Sequence, residues 1–161
     1  MNLKSLLFCA MLVLTMSLNT VNAQAGALDY LGHTIDGSEL TNEMESIGNY
    51  QSVARSTYLH QGFVRITNNG GGYVGIGAGT ECNVTCGTVK LNVYLERSSG
   101  SEDFYSYKKW ENVDYNTSSL YLNQQVKVEK GYYYRLRGYH SCTKNGVLEN
   151  GASRTDGIYI G

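Results

Sequence analysis

Proline is absent from all 161 residues. Every tight turn must then rest on glycine and asparagine, and the 19 glycines are numerous enough to supply them. Charge is also sparse, at 17% of residues with a formal net charge of −1. Arg135, Arg137, Lys127 and Lys130 lie close together in the chain, but Glu129 interrupts them. The clustered basic patch that nucleic acid or an anionic membrane surface requires is therefore missing. No Gly-x-Ser-x-Gly, His-Glu-x-x-His or Cys-His signature is present. Internal repeats and heptads are lacking as well.

Only one long apolar run occurs, Ser5 to Leu18, and it is too short for a comfortable bilayer span of about 20 residues. It follows Met1-Asn2-Leu3-Lys4 and precedes Val21-Asn22-Ala23, which is the pattern of a secretory signal peptide cleaved after Ala23. A retained anchor is the alternative. Residues 1–23 are thus expected to be a leader and the mature protein to be secreted, with no membrane contact after cleavage. Cys9 lies in the leader, so Cys82, Cys86 and Cys142 remain. In an oxidising compartment these suggest one bridge and one odd thiol. A zinc site competes, because the Cys82 and Cys86 spacing suits ligation, but no histidine pair completes it. The expectation is no metal and no cofactor.

Residues 24–60 are polar with little periodicity and are expected to form a loose arm, although Leu40, Met44 and Ile47 share a possible short helical face. From residue 61 to residue 161 the pattern is β. Phe63 to Thr67 and Tyr73 to Ile76 flank Asn68-Asn69-Gly70-Gly71-Gly72, a hairpin connection. Between Thr88 and Glu96, Val89, Leu91, Val93 and Leu95 alternate with polar residues. Tyr105 to Tyr115, Leu120 to Val128, Tyr132 to Ser141 and Ile158 to Ile160 also read as strands, with Thr143 to Asp156 as a long polar loop. Many short strands without a long helix predict an all-β antiparallel sandwich of immunoglobulin or fibronectin type.

The stretch from Val128 through Gly131 and Tyr134 to Arg137 resembles the corner between strands E and F of fibronectin type III domains, with Lys130 where proline is usual. The resemblance implies that the Tyr134 hydroxyl bonds back to the upstream backbone beyond Gly131; the family's early-strand Trp is missing, and Trp110 is expected instead as an anchor of the strand Tyr105 to Tyr115. From Arg55 to Ile160 the chain resembles an uncharacterised family of small secreted proteins of Gram-positive bacteria. That resemblance rests on Tyr58-Leu59, Gly62, Val93-Tyr94-Leu95-Glu96-Arg97, Trp110, Gly131-Tyr132-Tyr133-Tyr134-Arg135, His140 and Thr155-Asp156-Gly157-Ile158. It implies a domain of unknown function and no transferable active site. In the expected immunoglobulin-like sandwich order, strands 87–96 and 132–141 are antiparallel neighbours, which predicts a bridge from Cys142 to Cys86 or Cys82, with a Cys82 to Cys86 bridge as the alternative if that stretch is a tight turn.

The chemistry-bearing residues are scattered. His33, His60 and His140 form no ligand set, and only His140 lies near a thiol, Cys142. Glu102 and Asp103 are adjacent and diverge, so they make no opposed carboxylate pair. Asp36-Gly37 and Asp156-Gly157 are turn signals rather than calcium loops. The chain invests instead in 14 tyrosines. Alternation places Tyr133, Arg135, Arg137 and Tyr139 on one strand face, a composition suited to recognition and to sugar stacking. With Asn145 and Arg154 from the following loop, these residues are the expected binding surface. The function expected is a secreted, non-enzymatic binding module for an extracellular protein or glycan. A secreted hydrolase using His140 and a bacteriocin- or toxin-like effector are the alternatives.

Overall fold

The computed structural model describes residues 26–51 and 56–161, so the expected leader lies outside the described residues. A short 3-10 turn at Ala27–Tyr30 precedes nine strands: β1 Thr34–Ile35, β2 Ser38–Thr41, β3 Glu45–Gln51, β4 Leu59–Asn68, β5 Tyr73–Ser98, β6 Tyr105–Lys127, β7 Tyr132–Lys144, β8 Val147–Arg154 and β9 Gly157–Ile160. The fold is nearly all β. No helix of the described residues is long and apolar enough to cross a membrane.

The 26-residue β5 decides the architecture. At about 3.3 Å per residue it would extend roughly 85 Å, far beyond the width of a domain this size, so it must bend. The bend falls where its ladder to β6 jumps from Glu81↔Ser119 to Cys86↔Thr117. Before the bend β5 pairs on its other edge with β4, from Val74↔Asn68 to Cys82↔Leu59. After the bend that edge pairs with β7, from Thr88↔Thr143 to Ser98↔Tyr133. β6 follows both halves as the long return arm of a hairpin. One continuous sheet is thereby folded over itself into a half-barrel.

The expected sandwich of two separate sheets is therefore replaced by a single curled sheet. Tyr73 to Ile76 and Thr88 to Glu96 belong to one strand, as do Tyr105 to Tyr115 and the expected strand Leu120 to Val128 up to Lys127. The polar residues between them mark bulges that turn a strand without reversing it. Residues 143–156 also form no long loop. β7 and β8 are joined by a tight turn at Asn145 and Gly146, whose φ angles of 52° and 78° suit the hairpin twist.

Val64, Ile66, Val74, Ile76 and Ala78 from the first half face Leu91, Val93, Leu95, Leu136, Ile158 and Ile160 from the second, forming the main core. A smaller cluster of Leu59, Cys86, Val89 and Cys142 fills the crease. Close approach of the two halves depends on missing side chains. A Cβ at Gly62 would collide with the His140 ring, and one at Gly48 with the Arg154 backbone.

The expected loose arm is, over its described residues, part of this sheet. β3 pairs with β4 from Glu45↔Thr67 to Gln51↔Gln61, and β2 adds beside β9 in parallel through Leu40↔Gly157. Leu40 is fully buried, whereas Met44 and Ile47 are exposed, so no helical apolar face forms. The strands here are too short to announce themselves by alternation, and their partners are more than a hundred residues away or across a turn.

Candidate binding face

Past the crease, odd-numbered β5 residues point into the core and even-numbered ones point outward. The ladders set Lys90 between Val113 and Ser141, Asn92 between Glu111 and Tyr139, and Tyr94 between Lys109 and Arg137. β8 continues the same face with Asn150 opposite Ser141 and Ala152 opposite Tyr139. This four-stranded face, in the order β6-β5-β7-β8, carries exposed Tyr115, Val113, Tyr139 and Leu148. Two adjoining depressions of about 520 and 260 Å³ share Lys90 and Asn92 as their common wall. Tyr94 and Tyr139 meet edge to face at 5.7 Å. The Lys109 ammonium lies 5.3 Å from the Tyr94 ring centroid and the Arg137 guanidinium 5.8 Å from that of Tyr139, which stiffens both rings.

The expected strip on β7 runs along this face, but only its upper part is accessible. Tyr139 is 43% exposed and Arg137 partly exposed, whereas Tyr133 is 0% and Arg135 1% exposed. The amino-terminal residues cover the lower end. The Tyr133 hydroxyl donates to the Ala27 carbonyl at 2.9 Å, and its ring packs beside Tyr159. Arg135 donates to Glu96 at 2.8 Å, to the Asp36 carboxylate at 2.6 Å and to the Ser38 hydroxyl at 3.0 Å, with its guanidinium 4.1 Å from the Phe104 ring centroid. These two residues are therefore structural, because a buried guanidinium must have all its charge compensated. Arg137 also pairs with Glu96. Arg154 lies by Asp36 and donates to the Gly37 carbonyl, away from Tyr139, and Asn145 forms the exposed hairpin turn. The six expected residues thus do not make one site.

Tyr134 is fully buried, and its hydroxyl donates to the Glu129 carbonyl at 2.9 Å. Burial pushes that hydroxyl's pKa up to about 12. Gly131 between them takes φ 88°, and Trp110 packs against the main core.

His140 is sealed on the inner face of β7. Its Nδ1 is 2.9 Å from the Thr80 hydroxyl and its Nε2 is 2.7 Å from the Ser153 hydroxyl. A serine within reach of an imidazole is the beginning of a nucleophile and base pair. Here His140 and Ser153 are 1% and 3% exposed, and the far ring nitrogen meets a hydroxyl instead of an orienting carboxylate. Burial holds the imidazole pKa down at about 4, so it rests neutral. The arrangement fills the gap between β5, β7 and β8.

Near the crease, Cys82, Cys86 and Cys142 are free thiols, and their sulfurs all lie within 4.8 Å of one another. The expected bridge from Cys142 is not formed. Strands 87–96 and 132–141 are antiparallel neighbours, but Cys142 stands opposite Val89 and not opposite Cys86. Burial raises the thiol pKa of Cys82 to about 11 and that of Cys142 further, so neither is an activated nucleophile. Beside them Glu149 reaches across to β4 and accepts hydrogen bonds from the Thr57, Tyr58 and Leu59 amides and the Ser56 hydroxyl at 2.7 to 2.9 Å.

A model of a family of unknown function, DUF6147, matches residues 30–157. The chain belongs to this family. No curated protein matches it. The span shared with DUF6147 takes in the whole open face, the buried Arg135 network and the three-thiol crease.

Lys90, Asn92, Ser141 and Asn150 are the face residues that sequence reading passed over in this DUF6147 chain. Lys90 and Asn92 were visible as the wet side of the alternating strand Thr88 to Glu96. Ser141 lay in a recognised strand as well. Asn150 was hidden because the Asn145-Gly146 hairpin signal was subsumed in a supposed loop.

Proposed function

We propose that this protein is a secreted, non-enzymatic binding module and that its ligand is a glycan held on the outer face of β6, β5, β7 and β8. The observation that carries the reading is the juxtaposition of exposed Tyr139 with Asn92, Lys90, Ser141 and Asn150 around one shallow cleft. A sugar ring offers an apolar C–H face for stacking and hydroxyls that pair with amide, hydroxyl and ammonium groups. The charges on the face are largely paired already, Arg137 with Glu96 and Lys109 with Glu111. That leaves the Lys90 ammonium and neutral polar groups to orient a ligand, and favours a glycan over a partner recognised mainly by charge. The curled sheet supplies the rigidity, since none of these groups depends on a free loop for its position. Secretion is part of the same proposal and rests on the leader pattern Met1 to Ala23.

Glycan-array and cell-wall polysaccharide binding by the full secreted chain tests this. Retention on a defined polysaccharide, weakened at least tenfold by Tyr139→Ala or Asn92→Ala with an unchanged melting temperature, supports it. Retention by protein baits only, or no dependence on these residues, overturns it. Amino-terminal sequencing of protein from culture medium should begin at Gln24 if the leader is cleaved as proposed.

A further inference from the structure

The three sulfurs at the crease come from chain positions that only the folded sheet unites. Cys82 ends the first half of β5 opposite Leu59, Cys86 begins the second half opposite Thr117, and Cys142 lies on β7 opposite Val89. We propose that Cys82, Cys86 and Cys142 together hold one thiophilic divalent metal ion of the zinc class, with water as the fourth ligand.

Four arguments support the site. The mutual sulfur separations, all within 4.8 Å, suit ligands around a shared centre. Zinc–sulfur bonds of about 2.3 Å set tetrahedral sulfurs roughly 3.8 Å apart, whereas a disulfide requires about 2.05 Å and strands the third thiol. Access is graded correctly: Cys86 and Cys142 are buried, and Cys82 is partly exposed, which leaves one path for an ion and for water. The shell is Leu59, Val89, Tyr50, Tyr58 and Leu120, and the one carboxylate opposite Cys142, Glu149, is already occupied by the Ser56 hydroxyl and the Thr57, Tyr58 and Leu59 amides. Charge selects the ion. A divalent ion displacing three thiol protons leaves the centre at −1, whereas a monovalent copper ion leaves −2 in the same apolar shell, a costlier burial.

Chemically the step is an exchange without oxidation: three S–H bonds are broken, three metal–sulfur bonds form and three protons pass to solvent. The role is structural. It clamps β7 to both halves of β5 at the bend, where the β5 and β6 ladder is interrupted.

The test is titration of the reduced, metal-free full chain with Co(II) under anaerobic conditions, followed by displacement with Zn(II). The proposal expects a saturable thiolate-to-cobalt charge-transfer band at one ion per chain and three protons released per ion. It also expects a melting temperature that rises with zinc concentration. Each of Cys82→Ser, Cys86→Ser and Cys142→Ser should weaken binding at least tenfold, with far-UV circular dichroism reporting whether the variant is folded. The titration of the unmodified chain decides the matter even if a variant fails to fold. Absence of a charge-transfer band overturns the proposal, as does tighter binding of Cu(I) with no zinc-dependent melting shift. A disulfide among the three cysteines in the protein isolated from the medium, read by intact mass, overturns it too.

Discussion

Arg135 and Glu96 face one another across the β5 and β7 ladder, and their side chains meet at 2.8 Å with 1% exposure each. Glu96 also receives Arg137, while Arg135 reaches on to Asp36, so the pair ties the amino-terminal hairpin of β1 and β2 to the outer face of the sheet. Buried ion pairs contribute little against an apolar isostere, but removing one partner leaves an uncompensated charge. Glu96→Gln should therefore lower stability by about 3 to 5 kcal/mol, read as a fall in urea midpoint with an unchanged slope. An unchanged midpoint would show that the guanidinium is compensated elsewhere.

His140 predicts a specific acid sensitivity. Burial lowers its folded-state pKa from the ordinary 6.5 to about 4, so the unfolded chain binds the additional proton between those values. Stability from this group is fully present above about pH 6.5 and is lost as pH falls toward 4. The full difference is on the order of 3 kcal/mol. Urea midpoints measured from pH 7.5 to 4 should fall accordingly, and His140→Asn should flatten that slope.

Glu149 adds a second and more acidic limb. Burial alone would raise its pKa, but the Leu59 amide, the Ser56 hydroxyl and the Thr57 and Tyr58 amides outweigh it and hold the carboxyl at about 2. Because the folded pKa is depressed, this contribution is present above the unfolded value near 4.3 and disappears as pH falls toward 2. Glu149→Gln should abolish that limb while leaving the His140 limb in place. Proteolysis around residues 56–59 is expected to speed up in the variant, since glutamine keeps only one of the two acceptor oxygens, without its charge, and puts an NH2 donor where the other was.

Gly62→Ala tests the closure of the half-barrel. The added methyl would strike the His140 ring, whose two nitrogens are already engaged by Thr80 and Ser153. Overpacking of this kind should cost about 1 to 3 kcal/mol. His140 should also become easier to protonate as the ring is displaced, which nuclear magnetic resonance titration of its ring protons would detect.

Tyr133 and Tyr139 lie on one strand face and should respond oppositely. Tyr133→Phe loses the hydrogen bond to Ala27 and should reduce stability by about 1 kcal/mol without altering glycan retention. Tyr139→Ala should leave the melting temperature unchanged and abolish retention. Equal effects of the two on retention would refute the division of the strip into a structural end and an open end.

Local patterning determined much of this molecule. The alternation of Val89, Leu91, Val93 and Leu95 with polar residues defined a strand with one dry face. The glycine-rich stretch at residues 70–72 marked a hairpin because positive φ angles cost glycine little. The absence of proline let strands run as long as β5 and β6, although nothing local revealed that residues 82–87 and 116–119 were bulges and not loops.

Only tertiary structure decided the rest, because period-2 patterning says which side chains share a face but not what covers that face. Tyr133, Arg135, Arg137 and Tyr139 alternate identically in sequence. The amino-terminal segment, about a hundred residues earlier, covers the first two, Ala27 of the 3-10 turn meeting Tyr133 and Asp36 of the hairpin meeting Arg135, and leaves the others open. The same holds at the crease. Cys82, Cys86 and Cys142 are separated by up to sixty residues, and their convergence depends on a bend whose cause is the excess length of β5 over the width of the domain.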